Sequence, residues 1–354
     1  MESVDTAGIP VVRVIFEYTV EPAKPPYINF RRSLTQWYTS QKRDLPWRRT
    51  RDPYRIWISE IMLQQTRVAA VIPYYQRFLD RFPNVEALAE APEQELLAAW
   101  AGLGYYSRAR NLHRAAKQIV AQGGFPREYE QIRALAGVGD YTAAAIASIA
   151  FDLPYAVLDG NVMRVLARLD NDPSDVAAGA TRTRMQQRAQ ELLDPKHSAE
   201  FNQAVMELGA TICLPKQPQC LLCPVSEWCG ARRRGTQDQL PVKGRKMTML
   251  RIERTVLIVE RNGCVLLWQR GEDSSKLKGF WELPEPEHLP AAKLGKPLGE
   301  FRHSIVNHNY RIAVVPASLR RVPPGFEWFD AARLRSAPLS TTARKALDTA
   351  GRRP

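Results

Sequence analysis

Two carboxylates and a row of thiols are the groups in this sequence best placed to do chemistry. Glu60 stands alone in IWISEIML (residues 56–63), the one charge in an apolar run. Burial there would raise its pKa and keep a proton available near neutral pH. The bland alternative is a polar position on an amphipathic helix. Asp159 stands in VLDGNV (157–162), just before an apolar run. An Asp in that place reads first as a helix N-cap. The same place favours the ionised form, because the helix start is the positive end of its dipole. One acid kept protonated and one kept ionised form the pair that glycosidic bond cleavage needs: one protonates the leaving group and the other stabilises the cation left on the sugar.

Four of the five cysteines are clustered: Cys213, Cys220, Cys223 and Cys229, spaced C-x6-C-x2-C-x5-C. Four thiolates within a short stretch can surround one metal centre. Zinc sites more often pair two C-x2-C knuckles, and only one such pair exists here. The remaining Cys264 lies in a strand-like run and reads as packing.

A turn, LAGVGDYT (135–142), precedes the helical run 143–150. Gly137 and Gly139 let backbone come close to a ligand, and free N–H groups at a helix start can take a phosphate without reading sequence. A plain turn between helices is the competing reading.

These groups need elements to hold them. The chain has 354 residues and 45% hydrophobic side chains, enough for two domains with real cores. From about 30 to 230, apolar residues recur at helical spacing, as in Phe30, Leu34, Trp37 and Tyr38, then Val71, Tyr74, Tyr75 and Phe78. Pro73, Pro83, Pro126 and Pro154 are expected to break this region into short helices. Residues 231–250 read as a polar, basic linker. Beyond 251 the period shortens to β-like runs at 255–260, 265–268 and 310–316, predicting a second domain, α+β or mostly β. Residues 1–29 form a proline-bearing lead-in with no assigned chemistry.

The net charge of +13 favours a polyanionic partner, most often nucleic acid. No apolar run is long enough to span a bilayer, and residues 1–10 lack a signal-peptide pattern, so the expected location is the cytoplasm.

The cysteine spacing resembles the [4Fe–4S] loop of the endonuclease III superfamily of DNA glycosylases. The glycine turn resembles that superfamily's helix–hairpin–helix, with Ala136 in place of a proline. PWRRTRDPYRIWISEIMLQQTRV (46–68), WAGLGYYSRARN (100–111), VLDGNV (157–162) and FNQAVMELG (201–209) resemble the MutY family of adenine DNA glycosylases. Together they cover 30–230 almost continuously.

That resemblance implies a mainly α glycosylase domain with a helix–hairpin–helix and a [4Fe–4S] loop, followed by a smaller α+β Nudix-like domain. It implies removal of adenine mispaired with 8-oxoguanine or guanine in duplex DNA. Glu60 would be the acid, Asp159 the stabiliser of the cation, and Tyr141 and Asn161 their supports. Bifunctional relatives carry a lysine at the Tyr141 position, and a phenol forms no Schiff base, so the enzyme is expected to be monofunctional. Glu207 would contact the extruded adenine. Gln65 and Tyr105 would wedge into the base stack, since the base must leave the duplex before chemistry. Gly137 and Gly139 would hold the backbone. Cys213, Cys220, Cys223 and Cys229 would ligate the cluster, in a structural role.

VLLWQR (265–270), GFWELP (279–284) and FRHS (301–304) resemble the family's recognition domain, and no glutamate-rich Nudix metal box is present. Ile305, Val306 and Asn307 stand where the family has Phe-Ser-His. Valine lacks the serine hydroxyl, which leaves Asn307 and His308 to contact the lesion. A monomer acting at a bacterial nucleoid is expected. The rival readings are a thymine or oxidised-pyrimidine glycosylase of the same superfamily and a non-catalytic damage sensor.

Overall fold

A computed structural model describes residues 25–244, 249–271, 274, 277–305 and 307–352. Most of the lead-in and Val306 lie outside them. The first twelve helices are α1 (Pro25–Gln41), α2 (Pro53–Leu63), α3 (Val68–Arg81), α4 (Val85–Glu90), α5 (Glu93–Trp100), α6 (Ser107–Ala121), α7 (Tyr129–Arg133), α8 (Asp140–Phe151), α9 (Gly160–Leu169), α10 (Gly179–Leu192), α11 (Ser198–Thr211) and α12 (Gly230–Arg234). Seven strands follow: β1 (Leu250–Arg261), β2 (Cys264–Gln269), β3 (Trp281–Glu282), β4 (Lys293–Leu294), β5 (Gly299–Ile305), β6 (His308–Ser318) and β7 (Phe326–Phe329). Helices α13 (Ala331–Ser336) and α14 (Thr341–Thr349) close the described chain.

The helical period places one stripe of each helix in a shared core. Phe30, Leu34 and Tyr38 of α1, Val71, Tyr75 and Phe78 of α3, and Leu112, Ala115 and Ile119 of α6 are all buried in it. Helix α8 is buried almost all round, its alanines allowing close approach of α2, α7 and α11. Two boundaries differ from expectation. Helix α1 begins at Pro25, inside the presumed lead-in, where prolines suit a first turn. Pro73 lies within α3 instead of ending it. Placed early in the helix, it removes one backbone donor without displacing the buried stripe.

The seven strands form a mixed sheet with path β3-β2-β1-β6-β4; β5 pairs with β6, and β7 with β2. Strands β1 and β6 run parallel, with Leu250 opposite His308. Alternation along β1 divides its side chains: Val256 and Ile258 join one core with α13 and α14, while Leu257 and Val259 join a second on the other face. The expected α+β class is what the chain forms.

The linker expectation is modified at its first half. Residues 231–234 belong to α12, and the Val242 carbonyl accepts from the Val176 amide at 3.0 Å. The two domains also share a core. Phe280 is fully buried among the helical domain's apolar side chains. Its ring centroid lies 4.0 Å from that of Tyr106, and Arg110 donates to the Lys278 carbonyl. Burying a phenylalanine is worth roughly 1.5–3 kcal/mol. Among the described residues, no helix is long and apolar enough to cross a membrane.

Candidate active site

Helix α2 starts cleanly because Asp52 accepts from the Tyr54 amide at 2.9 Å and Pro53 occupies the first turn. Its residues from Ile56 to Met62 are all buried, Glu60 included at 6% exposure. The bland reading of Glu60 as a surface position is therefore excluded. Burial pushes its carboxyl up to about 7, and the nearby Asp159 adds to the rise. The Tyr141 hydroxyl donates to Glu60 Oε2 at 2.7 Å, which opposes it. That phenol comes from the first turn of α8. It also touches Met206 Sδ at 3.5 Å, and burial together with the two carboxylates holds its own pKa well above normal.

Asp159 is the N-cap of α9, accepting from the Val162 amide at 2.7 Å and from Asn161 Nδ2 at 2.9 Å. Asn161 is oriented in turn by Arg164, whose Nη2 donates to Asn161 Oδ1 at 2.8 Å. The N-cap geometry is as expected, but its electrostatic outcome is not. Burial raises the Asp159 pKa above the ordinary aspartate value despite these donors. The donor sets still separate the pair. Asp159 has backbone and amide donors favouring its anion, whereas Glu60 has one phenol and sits deeper. Those donors favour the Asp159 anion more than the single phenol favours that of Glu60.

Glu207, on α11, is buried and already partnered. Its Oε1 accepts from the Arg43 amide at 3.0 Å and Arg43 Nε at 2.8 Å; its Oε2 accepts from Arg43 Nη2 at 2.6 Å and Arg48 Nη2 at 2.7 Å. Burial alone would raise this carboxyl, but the two guanidiniums outweigh it and hold it at about 2. Four donors fill the acceptor positions of one carboxylate, so this conformation leaves none for a base. Arg48 also lowers the Glu60 pKa, which places its charge between the two glutamates' fields. Neither Arg43 nor Arg48 was singled out from sequence. A partner search for Glu207 would have needed contacts 164 and 159 residues away.

Gln65 and Tyr105 are exposed, both at positive φ, 56° and 48°. Gly137 also has positive φ, 76°, and a Cβ there would meet Asn111 of α6 at 2.5 Å, so glycine is required by the fold itself. Gly139 instead caps α8 with open space where a Cβ would stand. Asn307 and His308 lie at the β5–β6 turn of the second domain, where Ile305 pairs with His308.

The four clustered cysteines are free thiols and partly buried. Burial and the neighbouring Cys213, Cys229 and Cys220 push the Cys223 thiol up to about 12, so the four lie within electrostatic reach of one another. Arg168 Nη1 donates to Cys213 Sγ at 3.3 Å. Among the described residues, no three His, Cys, Asp or Glu side chains are gathered into a site for a metal ion.

The chain is similar over most of its length to known proteins. It is 35% identical to an adenine DNA glycosylase of Mus musculus, covering 90% of this chain and 77% of that protein. It is 35% identical to the adenine DNA glycosylase of Homo sapiens, covering 90% and 73%. Residues 58–195 match the family model described as HhH-GPD superfamily base excision DNA repair protein. A solved thermostable thymine-DNA glycosylase superposes with a TM-score of 0.52 at 29% identity, over 59% of this chain and 97% of that one. With this coverage and this arrangement of carboxylates, the chain belongs to the adenine DNA glycosylase family and is a DNA glycosylase of base excision repair.

Proposed function

We propose that this glycosylase removes adenine mispaired with 8-oxoguanine or guanine in duplex DNA, by acid-catalysed hydrolysis after the base is extruded. The observation carrying the mechanism is the buried Glu60 carboxyl, at about 7, bonded to Tyr141 and next to Asp159. Glu60 gives its proton to the departing adenine. Asp159, whose carboxylate accepts from the Val162 amide and Asn161, stabilises the positive charge that builds on the sugar. Tyr141 and Asn161 hold the two carboxylates, and the phenol keeps the enzyme monofunctional. Gln65 and Tyr105 fill the gap in the stack. Gly139 and the start of α8 contact a phosphate, and the open space at Gly139 supports that reading. Glu207 serves by anchoring Arg43 and Arg48 at the pocket. Asn307 and His308 contact the base opposite the adenine, in a domain read as Nudix-like.

Cys213, Cys220, Cys223 and Cys229 would hold a [4Fe–4S] cluster: four sulfur donors within electrostatic reach of one another, with a guanidinium donating to one. Bound there, the cluster would order the loop 213–229 beside the basic α12. Iron content and absorbance near ~400 nm of the purified protein test this; stoichiometric zinc without iron overturns it.

Single-turnover release from duplexes carrying A·8-oxoguanine, A·G and A·T tests the substrate. Fast, slower and no release, in that order, is the expected result. Equal rates on the first two would remove lesion discrimination by the second domain. Thymine release from T·G duplex would favour the rival pyrimidine reading.

A further inference from the structure

Arg108 opens α6 and is 9% exposed, yet none of its donors is aimed at the carboxylates. Its two Nη groups converge on two loops, while Nε is buried without a hydrogen-bond partner among the described residues. Nη1 donates to the carbonyls of Ile61 at 2.8 Å, Met62 at 3.1 Å and Gln64 at 2.5 Å. These are carbonyls that the end of α2 leaves unpaired. Nη2 donates to the carbonyls of Leu103 and Gly104, both at 3.2 Å, and to Thr66 Oγ1 at 3.4 Å. The guanidinium carbon lies 5.5 Å from the ring centroids of both Trp100 and Tyr105. One planar fork therefore ties the loop bearing Gln65 to the loop bearing Tyr105. Each of those residues is held in the left-handed region, which an L side chain adopts only when its surroundings impose it.

We propose that Arg108 is a positioning residue that locks Gln65 and Tyr105 into one rigid wedge, so that the two loops enter the base stack as a unit. This rests on the reading of Gln65 and Tyr105 as wedge residues. A rigid fork suits the task because its donors lie in one plane with fixed directions. Lysine would keep the charge and lose the fork. The predicted fault is in extrusion, upstream of proton transfer from Glu60.

The test follows extrusion through the fluorescence of 2-aminopurine placed beside the target adenine, with rates per active site fixed by burst titration. Arg108→Lys and Arg108→Gln are expected to lower extrusion at least about tenfold on paired adenine. On duplexes whose target adenine faces an abasic site, the deficit should shrink to below about threefold, with the pH midpoint of base release unmoved. A further expectation is that Arg108→Lys adds little in a Gln65→Ala, Tyr105→Ala background. Normal extrusion by the Arg108 variants, an equal deficit on unpaired adenine, or full additivity overturns the proposal. Normal extrusion by Gln65→Ala and Tyr105→Ala themselves would instead overturn the wedge reading. A second route leaves Arg108 in place. Thr66→Gly should speed amide hydrogen exchange in 103–105 as well as in 64–66; acceleration confined to 64–66 overturns the coupling.

Discussion

Glu60 and Glu207 are both buried glutamates on helices of one domain, yet one sits at about 7 and the other at about 2. Both lose water by burial. They differ in what replaces it: a neutral phenol for Glu60, two guanidiniums and a backbone amide for Glu207. The lesson is that depth alone does not make an acid. A deep carboxylate becomes a proton store only where the sequence withholds a cation from it.

The largest effect that could break this contrast is on chemistry. Glu60→Gln should lower single-turnover adenine release by about 10²–10⁴-fold while leaving duplex affinity nearly intact. Substantial residual turnover would dismiss Glu60 as the acid. Next is stability at Glu207. Glu207→Gln leaves Arg48 mostly buried without its anion and should destabilise by about 3 kcal/mol, after allowance for the exposure of Arg43. Thermal unfolding reads this, and an unchanged midpoint would mean the pair contributes nothing net.

The two sites should also respond to pH with opposite signs. Glu60 has a raised folded pKa, so its contribution is full below the unfolded value and lost as pH rises through about 7. Glu207 has a depressed one, so its contribution is present above the unfolded value and lost as pH falls towards about 2. Between pH 5 and 7, Glu60→Gln should therefore gain on the parent by on the order of 2 kcal/mol. Below pH 5 the gap between parent and Glu207→Gln should narrow. Parallel curves for both variants would erase the distinction.

The smallest effect concerns the phenol. Tyr141 donates to the ionised Glu60, so Tyr141→Phe should raise the Glu60 pKa and move the alkaline limb of the rate profile up by about one pH unit. A downward move would show that the hydrogen bond favours the protonated form.

What could be read in the sequence was local. A single charge in an apolar helical run gave Glu60, an Asp before a helix gave the N-cap at Asp159, and thiol spacing gave the cysteine loop. What could not be read depends on contacts between distant segments. Arg43 and Arg48 meet Glu207 across more than half the helical domain. The net rise at Asp159 reflects how much of the molecule closes over it, which an N-cap pattern does not record. The loops bearing Gln65 and Tyr105 look like ordinary turns in sequence, and their left-handed residues each follow a carbonyl that accepts from Arg108. Pro73 shows the reverse error, a local rule overridden by a helix whose buried stripe was unaffected.

Phe280 completes a core built almost wholly by residues that precede it by many positions. A ribosome therefore releases the glycosylase domain with one place in its interior unfilled, next to Tyr106. That place closes only when the chain has been made as far as Phe280. Until then the segment beside Tyr105 lacks its backing, so a chain cut before Phe280 would lack part of the glycosylase domain's own core.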